Sequence, residues 1–295
     1  MKIRNNLLSQ IKRDYLQDLV QYYDEREAEQ LLTILIEHFF GISRNELIMK
    51  PEYRISESEI VTLINAVKDL KKYKPVQYIT GVVEFHGLLL RVNPDTLIPR
   101  PETEELVQLI AESEKAKGLS VLDIGTGSGC VAIVLSKLLE YADVYATDIS
   151  IPAISLARKN ALSNNQDVQF HVHDIQISEN PIKNNDGQTV MFDVIVSNPP
   201  YVTQSDKKKM HRNVVDYEPA IALFVTDGNP LEFYISILNF CEKYLVQGGR
   251  VYMEINEGMG EEIELLLTKF RYADIELRRD LNGKQRFVSA TKILR

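Results

Sequence analysis

The 295-residue sequence contains no tryptophan and only two cysteines, Cys130 and Cys241. Two well-separated cysteines in a chain of this length do not indicate a disulfide framework, so we interpret both as reduced thiols of a cytoplasmic protein. Long apolar runs are also missing. The most apolar stretch, residues 31–42, contains Glu37 and His38 and is too short to cross a bilayer, which takes about 20 residues. A buried helix is therefore expected there, in a protein without a membrane partner.

The sequence also lacks an excess of basic residues. Lysine and arginine total 34 against 42 aspartates and glutamates, which leaves a net charge of −8. The chain therefore lacks the overall positive field of many nucleic-acid-binding proteins, although a local basic patch is compatible with this composition. The N-terminus has no apolar segment typical of a secretory signal. With 44% hydrophobic and 26% charged residues, the composition is typical of a soluble globular protein of about two domains.

Helical periodicity characterises residues 1–75, which we predict to form an N-terminal helical bundle. Ser43 with Glu46, and Ser56 with Glu59, have the spacing of capping boxes and are expected to open helices. Gly41 is suited to end a helix. Apolar residues recur at helical spacing in three stripes, which are typical of a buried core: Leu8, Ile11, Tyr15 and Leu19; Ala28, Leu31, Leu32, Leu35, Phe39 and Phe40; and Ile60, Leu63, Ile64, Val67 and Leu70.

The pattern changes after the bundle. Gly81 and Gly87 interrupt short β-prone runs, so we predict a β-hairpin linker at residues 76–95. Strands and helices then alternate, which indicates an α/β domain with a mostly parallel sheet covered on both faces. The predicted strands are residues 120–124, 143–147, 168–172, 192–197, 250–255, 275–279 and 286–290, and the predicted helices are residues 130–139, 152–160, 231–245 and 260–270.

A glycine-rich turn joins the first of these strands to a helix. Its residues are Gly125, Thr126, Gly127, Ser128 and Gly129. Glycines let the backbone approach a ligand, and the helix N-terminus behind them offers N–H donors. A dinucleotide fold prefers its third glycine one position later, where this chain has a cysteine. The spacing resembles that of S-adenosylmethionine-dependent methyltransferases, and we predict that this turn binds that cofactor.

Two acidic residues end the next two predicted strands. Asp148 stands about 20 residues after the glycine turn, where nucleoside-binding α/β folds place a carboxylate that grips the ribose. We predict that role, with a helix N-cap for residues 150–153 as the alternative. Asp174 is expected to accept from the adenine amino group. His171 and His173 flank it, but no cysteine or carboxylate cluster completes a metal site, so no metal is predicted.

The sequence Asn198-Pro199-Pro200-Tyr201 follows the fourth predicted strand. Two prolines stiffen the loop, the Asn198 oxygen and a proline carbonyl can accept hydrogen bonds, and Tyr201 offers a flat face. This combination suits a planar NH₂ group that must be aimed at a methyl donor. An amide nitrogen is a poor nucleophile, so orientation and desolvation are the main catalytic task. The alternative is a rigid turn, which the position at the carboxyl end of a strand makes weaker.

Further segments resemble one known family. Residues 75–81, Glu84-Phe85 and residues 95–104 precede the two ligand loops, and Glu218-Pro219 and Asp280-x-x-Gly-x-x-Arg286 follow them. In this order and spacing, essentially the whole chain resembles the HemK/PrmC family, the peptide chain release factor N5-glutamine methyltransferases.

The resemblance implies a seven-stranded, Rossmann-like class I methyltransferase domain at residues 96–295, preceded by the helical bundle and the β-hairpin linker. The implied reaction moves a methyl group from S-adenosyl-L-methionine to the side-chain amide nitrogen of the glutamine in the Gly-Gly-Gln motif of class I release factors, and leaves S-adenosyl-L-homocysteine. The bundle is expected to help bind the release factor. We further expect a cytoplasmic monomer that supports translation termination.

The resemblance also implies roles for particular residues. The glycine turn, Asp148, Asp174, Ile175 and Asn198 would hold the cofactor. Some relatives have an aromatic residue at the position of Ile175, which here can pack on adenine but not π-stack. Arg100 is a candidate for substrate binding, with a surface ion pair as the equal alternative. Asn198, Pro199, Pro200 and Tyr201 would be the catalytic and substrate-binding residues.

Two departures from the family concern the outer wall of the cleft, the run Lys207-Lys208-Lys209 and the insertion at residues 227–231. Two other functions also remain possible at this point. A DNA or RNA adenine N6-methyltransferase shares the Asn-Pro-Pro-Tyr chemistry, but the acidic composition argues against a duplex substrate. A non-catalytic S-adenosylmethionine-binding protein is the other, and the intact motifs argue against it.

Overall fold

The structure, a computed structural model, describes residues 6–177 and 181–293. The chain divides into two compact units. The first runs to Val82 and also includes His211–Tyr217, and the second comprises Val83–Met210 and the chain from Glu218 onward. Within the described ranges, no helix combines the length and the apolar character that crossing a membrane requires.

The first unit is helical, as predicted. Both predicted capping boxes are present, since the side chains of Ser43 and Ser56 accept from the backbone N–H groups of Glu46 and Glu59 and the glutamates accept in return. Gly41 ends a helix in the left-handed conformation, with φ of 64°. The three predicted stripes pack into one apolar cluster. The helices are α1 (Leu8–Leu19), α2 (Glu25–Phe40), α3 (Arg44–Met49), α4 (Glu57–Leu70) and α5 (Val76–Thr80).

The second unit contains a β-hairpin and a seven-stranded sheet. The hairpin is formed by β1 (Val82–Phe85) and β2 (Leu88–Arg91). The sheet strands are β3 (Ser120–Ile124), β4 (Asp143–Asp148), β5 (Gln169–Val172), β6 (Phe192–Ser197), β9 (Leu245–Glu254), β10 (Tyr272–Arg279) and β11 (Gln285–Lys292). Their order is β10-β11-β9-β6-β3-β4-β5. Only β11 is antiparallel to its neighbours, so the predicted mostly parallel sheet is confirmed.

Helices follow most of these strands. They are α6 (Pro101–Ser113), α7 (Cys130–Leu138), α8 (Ile151–Ser163), α10 (Glu232–Tyr244) and α11 (Gly260–Lys269). Between β6 and α10 the chain forms the short strands β7 (Val202–Thr203) and β8 (Phe224–Val225), two 3-10 turns at Asp206–Lys209 and Ala220–Ala222, and the one-turn helix α9 (Arg212–Val215). This connection contains His211–Tyr217, the late segment of the chain that belongs to the first unit.

That late segment packs on the end of the helical unit through Tyr73. The Tyr73 ring meets the His211 ring edge-on at 5.8 Å, and the Arg212 guanidinium lies over it at 5.0 Å. The Tyr217 hydroxyl donates to the carbonyl of Lys72 at 3.0 Å. Residues far apart in sequence therefore form one folded unit.

The sheet is buried on both faces. Consecutive strand residues point to opposite faces, so Val121 of β3 joins the apolar cluster with α6, α7 and α8, whereas Leu122 joins the cluster with α10 and α11. This is why the strands read as continuous apolar runs. Cys130 and Cys241 are buried one in each cluster, and neither is in a disulfide, which agrees with the reduced thiols expected.

Strands β7 and β8 and helix α9 were not predicted, β10 begins at Tyr272 rather than at residue 275, and three further differences have a clear physical reason. Helix α6 was not predicted, because its first turn is polar and its apolar stripe begins only at Leu106. Helix α5 occupies the first five residues of the predicted hairpin linker, and a helix of one turn is too short to show a periodicity. Strand β9 begins at Leu245 rather than at Arg250, because Gly248 and Gly249 look like a turn but lie inside the strand.

A substitution in the turn before α7 would test how tightly the sheet and its helices pack. Gly129 has φ of 85°, and a Cβ there would lie 2.9 Å from Ile133 Cδ1 and 3.1 Å from Ala157 Cβ. Gly129→Ala therefore combines backbone strain with overpacking and should lower the free energy of unfolding by about 2–4 kcal/mol in urea titrations. Gly248→Ala is the matched control, since φ is 77° but nothing lies within 4 Å. It should cost only about 1–2 kcal/mol, and an equal loss in both variants would contradict the packing argument.

Candidate active site

The predicted ligand-binding residues meet at one edge of the sheet. Strand β3 lies between β4 and β6, and Ile124 at its end is paired with Thr147 on one side and Ser197 on the other. Because all three strands are parallel, the segments that follow them leave the sheet at the same edge. The structure thus brings together the glycine turn, Asp148 and Asn198.

The glycines of this turn have two properties: all three have a left-handed backbone, and two of them leave open space above the turn. Gly125, Gly127 and Gly129 all have positive φ, at 75°, 54° and 85°. A Cβ on either of the first two would meet nothing within 4 Å, so their surfaces are open to a ligand. The turn is held to the sheet because the backbone N–H groups of Gly125 and Thr126 both donate to the Thr147 carbonyl at 2.9 Å.

Asp148 holds the glycine turn directly. One carboxylate oxygen accepts from the Gly127 N–H at 2.9 Å and the other accepts from the Ser150 N–H at 2.9 Å. The alternative role as the N-cap of α8 is wrong, because Ser150 is the cap and accepts from the Ala153 N–H. Burial raises the pKa of Asp148, while its backbone hydrogen bonds act in the opposite direction. The carboxylate is therefore preorganised at the edge of a cavity.

This cavity, the main cleft, has a volume of about 260 Å³ and mostly apolar walls. Asp174 and Ile175, whose predicted place near an adenine ring stays a prediction, line its wall, and Asp174 also accepts from the Gln176 N–H at 2.9 Å. Other lining residues include Leu97, Gly125, Gly127, Asp148, Asn198, Pro199, Pro200, Ile221, Phe233 and Ile237.

A second, smaller cavity of about 40 Å³ shares Gly125, Gly127 and Asn198 with the main cleft. Ser128 borders it, and within residues 6–177 and 181–293 the buried Ser128 hydroxyl has no hydrogen-bond partner of ordinary geometry. Asp123 also borders it and accepts from the Thr126 hydroxyl at 2.6 Å. Burial raises the pKa of Asp123 to about 7. A ligand that fills both cavities would contact the mostly apolar walls of the main cleft and, in the smaller cavity, Asp123, Thr126 and Ser128.

Asn198 is fixed by a chain of hydrogen bonds. Its Nδ2 donates to Thr103 Oγ1 at 3.1 Å, and the Thr103 hydroxyl donates to Glu254 Oε2 at 2.8 Å. The Tyr201 hydroxyl donates to the other oxygen of Glu254 at 3.0 Å. Glu254 is only 2% exposed, and burial raises its pKa. Sequence reasoning missed Glu254; the available signal was a carboxylate at the end of an apolar strand.

Two predicted residues lie somewhat differently from expectation. The Arg100 guanidinium forms an ion pair with the buried Glu218 Oε1 at 2.6 Å and also borders the smaller cavity; substrate binding by Arg100 stays a prediction. Glu218 is buried and accepts from the Ile98 N–H as well, which ties the segment before α6 to the site. Tyr201 borders neither cavity, and its ring packs against the apolar cluster under the sheet.

Known proteins resemble this chain along both units. Residues 13–81 match the family model for the PrmC N-terminal domain, and residues 102–221 match that for the methyltransferase small domain. The release factor glutamine methyltransferase of Flavobacterium psychrophilum is 40% identical over 286 residues, which are 96% of this chain and 98% of the relative. The protein of the same name from Bacteroides thetaiotaomicron is 39% identical over 287 residues, 97% of this chain and 100% of the relative.

Solved structures agree on the fold. A methyltransferase from Pyrococcus furiosus superimposes with a TM-score of 0.51 at 18% identity and covers 81% of this chain and 100% of its own. At that identity the similarity concerns the fold alone. The near full-length sequence relatives carry the further conclusion and confirm the resemblance found in the sequence: this chain belongs to the release factor glutamine methyltransferases, the HemK/PrmC family.

Proposed function

We propose that this protein transfers a methyl group from S-adenosyl-L-methionine to the side-chain amide nitrogen of the glutamine in the Gly-Gly-Gln motif of class I release factors, in support of translation termination. The observation that carries the proposal is the Asn198 carboxamide, held in one orientation where the main cleft meets the smaller cavity. The names of the near full-length relatives support the same substrate.

The cleft fits the cofactor by its donors and acceptors. Asp148 would accept from the two ribose hydroxyls, Asp174 would accept from the adenine amino group, and Ile175 would pack on the ring; all three residues line the main cleft, which supports these roles. The orphan Ser128 hydroxyl and the buried Thr126 border the smaller cavity, where the polar amino-acid end of the cofactor would find partners. When bound, the cofactor supplies an electrophilic methyl group on a sulfonium sulfur.

The substrate amide would be held by acceptors only. Asn198 Nδ2 already donates to Thr103, so Asn198 Oδ1 is the branch that can accept from the amide NH₂. The Pro199 carbonyl supplies the second acceptor, and neither Pro199 nor Pro200 has an N–H that could compete. Tyr201 was expected to pack on the amide, but its ring borders neither cavity and its hydroxyl is bound to Glu254, so we assign it to supporting the loop from behind. Two acceptors on one NH₂ group fix the plane of the amide and the direction of its nitrogen.

Catalysis would then come from orientation and the exclusion of water. An aligned intramolecular geometry can supply about 7–11 kcal/mol of the barrier in favourable cases. A strong base is not needed at the start, because the amide proton becomes acidic as the new N–C bond forms. Asn198 Oδ1 and the Pro199 carbonyl would each hold one of the two N–H hydrogens, and one of these protons would pass to solvent after the methyl group has moved from sulfur to nitrogen. The helical unit is assigned to binding the release factor, whose folded surface does not require a basic partner.

Replacement of Asn198 tests the catalytic part of the proposal. Asn198→Ala removes one of two acceptors and should lower kcat by about 10²–10³-fold, as for other single orienting groups. Because Asn198 also lines the cofactor cleft, cofactor affinity should fall too, but by less than kcat. The measurement is methyl transfer to purified release factors, with peptide mass spectrometry to locate the methyl group. Asn282→Ala, at the exposed turn between β10 and β11, is the control and should retain full activity. Undiminished turnover of Asn198→Ala would contradict the assignment.

Replacement of Asp148 tests the cofactor part. Hydrogen bonds to a charged group contribute about 1.5–3 kcal/mol each, so Asp148→Asn should weaken S-adenosylmethionine binding by about 10–100-fold in isothermal titration calorimetry. Asp143→Asn, at the exposed start of the same strand, should bind like the wild type. Equal affinities of both variants would argue against ribose binding by Asp148.

Acid should weaken cofactor binding through the same group. Burial raises the pKa of Asp148 above its ordinary value, and the ionised form is the better acceptor for ribose hydroxyls. Affinity should therefore be full above the raised pKa and decline as the pH falls through it. Asp148→Asn should remove that acid dependence, and a wild type whose affinity declines only at or below the ordinary carboxyl pKa would contradict the prediction.

A further inference from the structure

We infer that Glu254 is a positioning residue for the transfer reaction: it fixes the direction of the hydrogen bonds around Asn198 and so aims Asn198 Oδ1 at the substrate amide. The inference rests on the proposed function and names a residue that acts through others. Glu254 borders neither the main cleft nor the smaller cavity, so it is not expected to touch the cofactor or the substrate.

The argument starts from the hydrogen-bonding capacity of an ionised carboxylate, which only accepts. Burial raises the pKa of Glu254, while the hydrogen bonds from Thr103 and Tyr201 and the charge of Arg286 lower it. When the carboxyl group is ionised, Thr103 Oγ1 and the Tyr201 hydroxyl, 2.8 and 3.0 Å from its two oxygens, both donate to it. Each hydroxyl has one proton. The Thr103 oxygen can therefore offer only lone pairs to Asn198.

Because Thr103 offers only lone pairs, it determines the orientation of the Asn198 amide. Its terminal atom lies 3.1 Å from Thr103 Oγ1, and only the NH₂ branch can bond to a lone pair at that distance. A flipped amide would place two acceptors in contact. Glu254 thus excludes the flipped state through Thr103, and Oδ1 is left on the opposite branch, where an amide NH₂ would need it.

The surroundings of Glu254 explain how a carboxylate is stabilised at this buried position. A buried carboxylate costs free energy unless it is paired and hydrogen-bonded. Both of its oxygens have hydroxyl donors, and Arg286 adds a favourable positive charge. Arg286 is in turn held by Asp280 at 3.4 Å and donates to the Ile255 carbonyl at 3.5 Å. Several elements therefore converge to keep one acceptor-only group behind Asn198.

Thr103 is well placed to connect Glu254 with Asn198 through hydrogen bonds. It is 3% exposed and occupies the third position of α6, where its N–H donates to the Arg100 carbonyl at 3.0 Å. The helix start fixes the backbone of Thr103, so its hydroxyl cannot follow Asn198 if the amide rotates. A serine could make the same two hydrogen bonds, whereas a valine of similar shape could make neither.

The test uses the full chain with five variants: Glu254→Gln, Thr103→Val, the double variant that combines these two changes, Thr103→Ser and the matched control Glu114→Gln. Glu114 also accepts from a tyrosine hydroxyl, that of Tyr252 at 2.7 Å, but away from the two cavities. The readouts are kcat and KM on release factors, cofactor affinity by calorimetry, melting temperature, and the ¹⁵N NMR signals of the Asn198 side-chain NH₂ without substrate. Asn198→Ala identifies those signals by their loss.

We expect Glu254→Gln and Thr103→Val each to lower kcat by about 100-fold, the scale of a misoriented reacting group. KM and cofactor affinity should stay close to the wild type. The double variant should lose no more than Glu254→Gln alone, because both changes break one chain of hydrogen bonds. Thr103→Ser and Glu114→Gln should retain most of kcat. The Asn198 NH₂ signals should shift in Glu254→Gln and Thr103→Val only.

Two results would overturn the inference: wild-type kcat with unshifted Asn198 signals in Glu254→Gln, or losses in Glu114→Gln that equal those of Glu254→Gln and follow melting temperature. Failure of the proposed function looks different, since the wild type would then leave release factors unmethylated. In that case the substrate-free NMR signals still decide the orientation, with a shift in Glu254→Gln supporting the role of Glu254 and an unchanged spectrum contradicting it.

Discussion

Parallel pairing of β3 with β4 on one side and β6 on the other is the constraint on which the rest of the site depends. It brings the ends of three strands, marked by Ile124, Thr147 and Ser197, to one edge of the sheet. The register cannot slip by one residue, because β3 and its neighbours bury alternate side chains in two different apolar clusters. The core of the second unit thus determines where the glycine turn, Asp148 and Asn198 stand.

Polar groups are buried at that edge, next to the candidate site. Asp123 and Glu254 are nearly inaccessible, at 2% exposure each, and both are held by hydroxyl donors rather than by a direct ion pair. Such groups lower stability unless every partner is in place. Burial of the Glu254 carboxylate costs free energy. In return, its hydrogen bonds to Thr103 and Tyr201 connect β9 to α6 and to the loop after β6, which orders these elements. The same connection orients Asn198.

Local features were predictable and distant pairs were not. Both capping boxes, Gly41, the seven sheet strands and the placement of Asp148 and Asn198 follow from patterns within a few residues. The bonds of Glu254 to Thr103 and of Glu218 to Arg100 join residues more than a hundred positions apart, so no short pattern shows them. For that reason Arg100 was left with two roles. The domain boundaries and the roles of the site residues stay predictions.

The most direct test of the proposed substrate is a competition. The purified protein would receive labelled S-adenosylmethionine together with equal amounts of class I release factors and adenine-containing DNA and RNA. Label found only in the release factors, as one methyl group on the glutamine of the Gly-Gly-Gln motif, is the predicted result. Label in adenine of the nucleic acid, with the release factors unmodified, would contradict glutamine methylation and identify an adenine N6-methyltransferase instead.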